Sequence, residues 1–237
     1  MSHVLEHMAF KGTATRDAAS LSMAIERAGA SMNAYTTKDH TVFHVEALAE
    51  AEPVAIEALA DVVLRPSFPA EELERERHVI IQEIDEAADD PESLAQDAFD
   101  AIAWPGQALG RPILGAPRQV RAVRRDDLIA YHAAHYCGAN LIVVGAGQLD
   151  HARFGEGVEQ HFGALPQGSR TAREPARYVG GARHVDQDFD QTAVIAGWPT
   201  PPRSDPAFAA CELLAELLGG GASSPLFQQI RERHGLA

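Results

Sequence analysis

His3-Val4-Leu5-Glu6-His7-Met8-Ala9-Phe10-Lys11-Gly12-Thr13 decides how the rest of this sequence is read. From Ser2 to about Phe10, Val4, Leu5 and Met8 form one apolar side. Lys11-Gly12-Thr13 closes the run, because glycine is the usual residue at a helix C-terminal stop. On a helix, positions i, i+3 and i+4 share a face, so His3, Glu6 and His7 stand together. Two neutral imidazoles suit zinc, and a catalytic zinc takes three protein ligands while keeping one position open for water. The carboxylate between the histidines fits a general base acting on that water. The competing reading is a surface helix with scattered histidine and glutamate.

A third ligand has to come from elsewhere in the chain, and Glu83 is the candidate. It lies in a predicted helix over Ala70–Ala87, where Leu73, Val79, Ile80 and Ile84 recur on a helical period. Glu76 stands seven residues earlier, close to two full turns, so both carboxylates project from one face. Two acids on the partly apolar side of a helix are costly without a partner. A bound cation and its imidazoles would supply one, with Glu83 ligating and Glu76 orienting a ligand or the water. In so acidic a helix, a solvated carboxylate competes on equal terms with that reading.

The other histidine pairs, His132 with His135 and His40 with His44, lack a carboxylate in a helpful register. Cys137 reads as a small packed residue. With Cys211 it makes two cysteines, too few for a disulfide framework, so a reducing compartment is the default.

The formal net charge of −14 is concentrated in one segment. Residues 46–100 hold 17 Asp and Glu against three Arg, and the remainder is balanced. Solvated helix faces account for such a pattern; an electrostatic field that draws in basic peptides and repels nucleic acid is the alternative. No apolar run approaches the roughly 20 residues that a bilayer span requires.

Along the chain, a second helix is expected from about Asp17 to Ala28, stopped by Gly29, followed by extended structure from Ser31 to Leu48. Helices are expected over Pro53–Leu64, Pro91–Ala103 and Asp126–Tyr136. Asn140–Gly145 reads as a buried strand. Gly163–Gly181, rich in Gly, Pro, Arg and Ser, reads as a linker. Beyond it come a strand at Thr192–Trp198 and helices at Ala207–Leu218 and Leu226–His234. Helices and strands without regular βαβ alternation argue for an α+β architecture.

The opening run closely resembles the zinc motif of the pitrilysin/insulinase metallopeptidases, an inverzincin H-x-x-E-H family, and in particular its mitochondrial-processing-peptidase-like members. The resemblance continues through Asn33-Ala34-Tyr35-Thr36, Gly110-Arg111-Pro112-Ile113-Leu114-Gly115 and Leu226–Ala237, and covers essentially the whole chain. It implies an α+β fold of tandem domains, each a mostly antiparallel sheet packed with helices. A catalytic zinc-binding domain would occupy residues 1–165, a linker 166–182, and the start of a second homologous domain 183–237. It implies one zinc ion per chain held by His3, His7 and Glu83, Glu6 as general base, and Glu76 as the supporting acid. Asn33 and Ala34 would lie on an edge strand that binds substrate backbone. Arg231 matches an arginine of the family's second domain that reaches the active site, while its companion tyrosine would fall at position 238.

The implied activity is zinc-dependent endopeptidase action on extended peptides. A non-catalytic structural or partner subunit of the same fold is the alternative. A homo- or heterodimer with a homologous chain is expected, in the cytoplasm or periplasm of a bacterium. Members of the family normally carry several tens of residues before the zinc helix. The first domain is therefore expected to lack its N-terminal strands and the second to be incomplete, which would leave this chain inactive or weakly active alone.

Overall fold

The structure, a computed structural model, describes residues 1–236. The chain divides into two compact units, Met1–Val194 and the part from Ile195 onward.

The first unit is built around helix α1, Ser2–Ala9. Its apolar side splits between two cores. Val4, Leu5 and Met8 pack with Phe68, Leu73, Ile80, Val120, Val123 and Leu128. Ala9 packs with Leu21, Ile25, Ala58 and Val62. A helix buried on two sides presents only a narrow remaining face, and His3 and His7 occupy it, half-buried. Gly12 ends the helical run with φ +126°, a backbone conformation that L side chains rarely adopt. A Cβ there would also meet Ser67 Oγ at 3.2 Å. This turn is tied to the segment before α4: Ser67 N–H donates to Gly12 O (3.0 Å), and Ala14 N–H to Arg65 O (2.9 Å).

Helix α2, Ala18–Arg27, is capped by Asp17, whose carboxylate accepts from Ser20 N–H. Strands β1 (Ser31–Thr36) and β2 (Thr41–Glu46) form an antiparallel hairpin with Ser31 opposite Glu46 and Thr36 opposite Thr41. Period-two alternation makes Met32, Ala34 and Thr36 the more buried set of β1 and leaves Ser31, Asn33 and Tyr35 exposed. Helix α3 (Glu52–Leu64) is followed by α4 (Ala70–Ala88), which starts directly after Pro69. Helices α5 (Pro91–Ala103), α6 (Pro117–Ala122), α7 (Arg125–His135) and α8 (His151–Phe162) complete the unit. Gly155 and Gly157, poor helix formers, mask α8 in the sequence, although Asp150 caps it, its carboxylate accepting from Arg153 N–H (2.9 Å).

Two strand expectations fail. Residues 140–145 and 192–198 have no strand partner among the described residues. Leu141 is extended (φ −113°, ψ 136°), as β-branched surroundings favour, but a strand also needs a neighbour to close the hydrogen-bond ladder. Burial fails with it: Ile142 and Val144 are 82% and 79% exposed, and Val194 and Trp198 83% and 78%. The stretch 166–182 holds no helix or strand but is pinned in place. Arg177 exchanges two 2.7 Å hydrogen bonds with the Gln107 side chain, and Val179 N–H donates to Ala103 O (2.8 Å).

In the second unit, helix α9 covers Phe208–Gly219. Phe227–Arg233 is wound more widely, as a π-helix, with His234 N–H reaching Gln229 O.

Candidate metal centre

Helices α1 and α4 meet so that three ligand atoms converge. His3 Nε2 and His7 Nε2 lie 3.3 Å apart, and Glu83 Oε2 is 3.7 Å from the first and 3.5 Å from the second. Tetrahedral zinc with bonds of about 2.0–2.1 Å sets its ligand atoms roughly 3.3–3.4 Å apart, so the triangle has the size zinc requires. Glu83 Oε2 is buried and accepts no hydrogen bond, an arrangement that costs energy unless a cation faces it. Among the described residues these three form the one group with metal-binding geometry.

The tautomer of His7 is set from behind. Its Nδ1 lies 2.9 Å from Glu76 Oε2, and a carboxylate only accepts, so Nδ1 carries the proton and Nε2 presents its lone pair to the centre. The other oxygen of Glu76 pairs with Lys11 Nζ at 2.7 Å. Burial pushes the Glu76 carboxyl up, but hydrogen bonds from Lys11 and His7 and the charges behind them prevail and hold it below its ordinary value. Burial, then the neighbouring His7 and the chain's amino terminus, lowers His3 to about 4, so it enters neutral pH with both lone pair and ring uncharged. Glu83 moves the opposite way. Burial raises it against the relief offered by His7, and the charges of Glu76, Glu6 and Glu86 add to the rise. A cation between the three groups would reverse that push.

Glu6 is buried on the same helix, 9% exposed, and Thr36 Oγ1 of β1 donates to its Oε2. Thr36 in turn lies 3.1 Å from Thr41 Oγ1 across the hairpin.

The other sequence candidates are placed as follows. Asn33 is exposed and its Oδ1 accepts from Ala34 N–H (2.8 Å), while Ala34 is half-buried in β1. Arg231 lies in the second unit, its guanidinium 5.5 Å from the centre of the Phe227 ring. His132 Nε2–H donates to Val63 O (2.8 Å) and the ring stacks on Tyr136, while His135 contacts Thr171. His40 and His44 both border the Tyr35 ring. Sequence reasoning missed Lys11 and Thr36. Lys11 carries a signal, four residues beyond His7 and just past the end of the same helix. Thr36 carries none, because its contact spans 30 residues of chain.

Residues 1–117 match the family described as Insulinase (Peptidase family M16), and residues 122–237 the description Peptidase M16 inactive domain. An uncharacterized zinc protease of Rickettsia felis is 37% identical over 238 residues, covering all of this chain and 58% of its own length. The mitochondrial-processing peptidase subunit beta of Lentinula edodes is 33% identical over 213 residues, covering 84% of this chain and 46% of its own. Among solved structures, a protease from Helicobacter pylori superposes with a TM-score of 0.84 at 22% identity, over the whole of this chain and 59% of that one. Fold and motif together define a zinc-metallopeptidase type of architecture. The chain belongs to the insulinase, or M16, peptidase family. It spans about half the length of the curated relatives it matches.

Proposed function

We propose that this protein is a zinc-dependent endopeptidase acting on extended peptides. The observation that carries the reading is the convergence of His3 Nε2, His7 Nε2 and Glu83 Oε2 within a triangle of 3.3–3.7 Å. When bound there, zinc would acidify a water molecule and polarise a carbonyl oxygen. The side chains supply the rest. His3, His7 and Glu83 hold the ion, and Glu76 keeps the His7 ring turned toward it. Glu6 takes the proton of the attacking water and delivers it to the leaving amine. The edge of β1 at Asn33 and Ala34 offers backbone groups to an extended substrate, a mode that reads conformation more than sequence. Arg231 is a further candidate substrate-binding residue, as the family resemblance implies. The acidic segment 46–100 favours basic peptides, and a homologous chain is the expected partner. No helix among the described residues is long and apolar enough to cross a membrane.

Metal analysis with a peptide-cleavage assay, with and without chelator, tests the reading. One zinc per chain is expected, with chelator-sensitive cleavage that is weak or absent for this chain alone and appears in assembly with a homologous chain. Glu6→Gln should lower kcat by about 10²–10⁴-fold while leaving zinc content near that of the parent protein. Full activity in Glu6→Gln would remove the general-base assignment.

A second reading has one observation in its favour: residues 122–237 match a domain described as inactive. A non-catalytic partner subunit would retain the fold but contribute no chelator-sensitive cleavage of its own, so that Glu6→Gln would leave the activity of its assembly unchanged.

A further inference from the structure

We infer that Thr36 is a positioning residue for Glu6, so that the strand proposed to receive substrate also aims the general base. This rests on the peptidase reading above and assigns a role to a residue outside the metal ligands and the base itself.

The geometry runs from the hairpin to the helix. Glu6 is buried on α1, and its Oε2 accepts from the Thr36 hydroxyl. An ionised carboxylate has no proton to give, so the hydroxyl hydrogen of Thr36 must point at Glu6. Thr36 can then only accept from Thr41, 3.1 Å away, which makes Thr41 the donor in that contact. The three groups form a directed chain, Thr41 to Thr36 to Glu6, in which each hydrogen bond polarises the next. Thr36 and Thr41 face one another as the last cross-strand pair of the hairpin, so β1–β2 pairing fixes both hydroxyls. Thr37 closes the turn beyond them, its N–H donating to His40 O at 2.8 Å.

A glutamate on a helix has three side-chain torsions, and burial alone does not choose among its rotamers. The bond from Thr36 chooses one, occupying Oε2 and leaving Oε1 to meet water. Peptide pairing along β1 would order the same strand that carries Thr36. Substrate docking and base orientation would then be linked through a single side chain, an arrangement in which a small misplacement carries a large rate penalty.

The test compares Thr36→Val with Thr36→Ser. Valine keeps the branched shape and strand preference while removing the donor; serine keeps the donor. Crystal structures of the purified parent protein and both variants, solved without metal, report the Glu6 rotamer independently of turnover. Glu6 should leave its position in Thr36→Val and keep it in Thr36→Ser. In cleavage assays Thr36→Val should lose about 10–100-fold in kcat with KM within twofold, and Thr36→Ser should recover most of it. Zinc content should match the parent in both. An unchanged Glu6 rotamer in Thr36→Val overturns the inference, as does an equal kcat loss in both variants. Absence of zinc-dependent cleavage both in the parent protein and in its assembly with a homologous chain would instead remove the peptidase reading, and the rotamer comparison would still decide the role of Thr36.

Discussion

Glu76 accepts from two donors at once: one oxygen faces His7 Nδ1 at 2.9 Å and the other Lys11 Nζ at 2.7 Å. Removing its charge should loosen the His7 ring rather than delete a ligand. Glu76→Gln is expected to weaken zinc affinity by about 10–100-fold, measured by competition with a chromogenic chelator. Glu83→Ala removes a ligand atom outright and should abolish stoichiometric zinc retention, the sharper of the two losses. If both variants retained zinc like the parent, the ion would have to sit elsewhere. Lys11→Met should fall between the parent and Glu76→Gln, because the carboxylate survives but loses the partner that stabilises its charge.

At the scale of elements, the centre depends on how α1 is joined to α4. Asp61, 1% exposed on α3, accepts from Thr15 Oγ1 (2.7 Å) and Arg65 Nε (2.8 Å), which locks the turn after α1 onto α3. Burial pushes the Asp61 carboxyl up, but those bonds and the charges of Arg65 and Arg16 outweigh it and leave it below its ordinary value of 3.8. A carboxyl lowered by folding contributes stability that is fully present above 3.8 and lost as pH falls through the lower folded value. Asp61→Asn should therefore flatten the acid limb of unfolding followed by circular dichroism. Asp61→Ala, which strands Arg65 and the hydroxyls of Thr15 and Thr13 that donate to this carboxylate, should cost about 3 kcal/mol in denaturant titration. Gly12→Ala should cost about 1–3 kcal/mol, since its φ of +126° strains any L residue and the new methyl meets Ser67.

Much of this scale was legible in the sequence. The helix carrying His3, Glu6 and His7, the α4 helix and the β1–β2 region follow from local periodicity and glycine or proline punctuation. The pairing of Glu83 with the histidines was not readable from the α4 sequence alone, where a solvated carboxylate fitted as well; the family resemblance supplied it. Asn140–Gly145 and Thr192–Trp198 were misread because apolar, β-branched composition reports a preference for extended backbone and says nothing about whether a neighbour exists. Thr36 escaped notice for a related reason: its role arises only when a hairpin folds back on α1.

For the whole molecule, the proposed ion joins groups separated by 80 positions in sequence, from His3 to Glu83. A ligand that binds only the folded chain stabilises it by about 2.7 kcal/mol when present at 100 times its Kd. Thermal unfolding of the metal-free protein should therefore move upward as zinc is titrated in, and His3→Ala should abolish the shift. An unchanged midpoint in the parent protein would mean that the site does not engage zinc in solution.

Ile142 and Val144 stand bare on a chain that carries a strong negative excess. Mutual repulsion keeps such molecules apart in dilute buffer, and its reach shrinks from about 10 Å at 0.1 M salt to about 3 Å at 1 M. Purification at high ionic strength should hence drive clumping, visible as rising light scattering, whereas Ile142→Lys with Val144→Glu should keep the preparation clear.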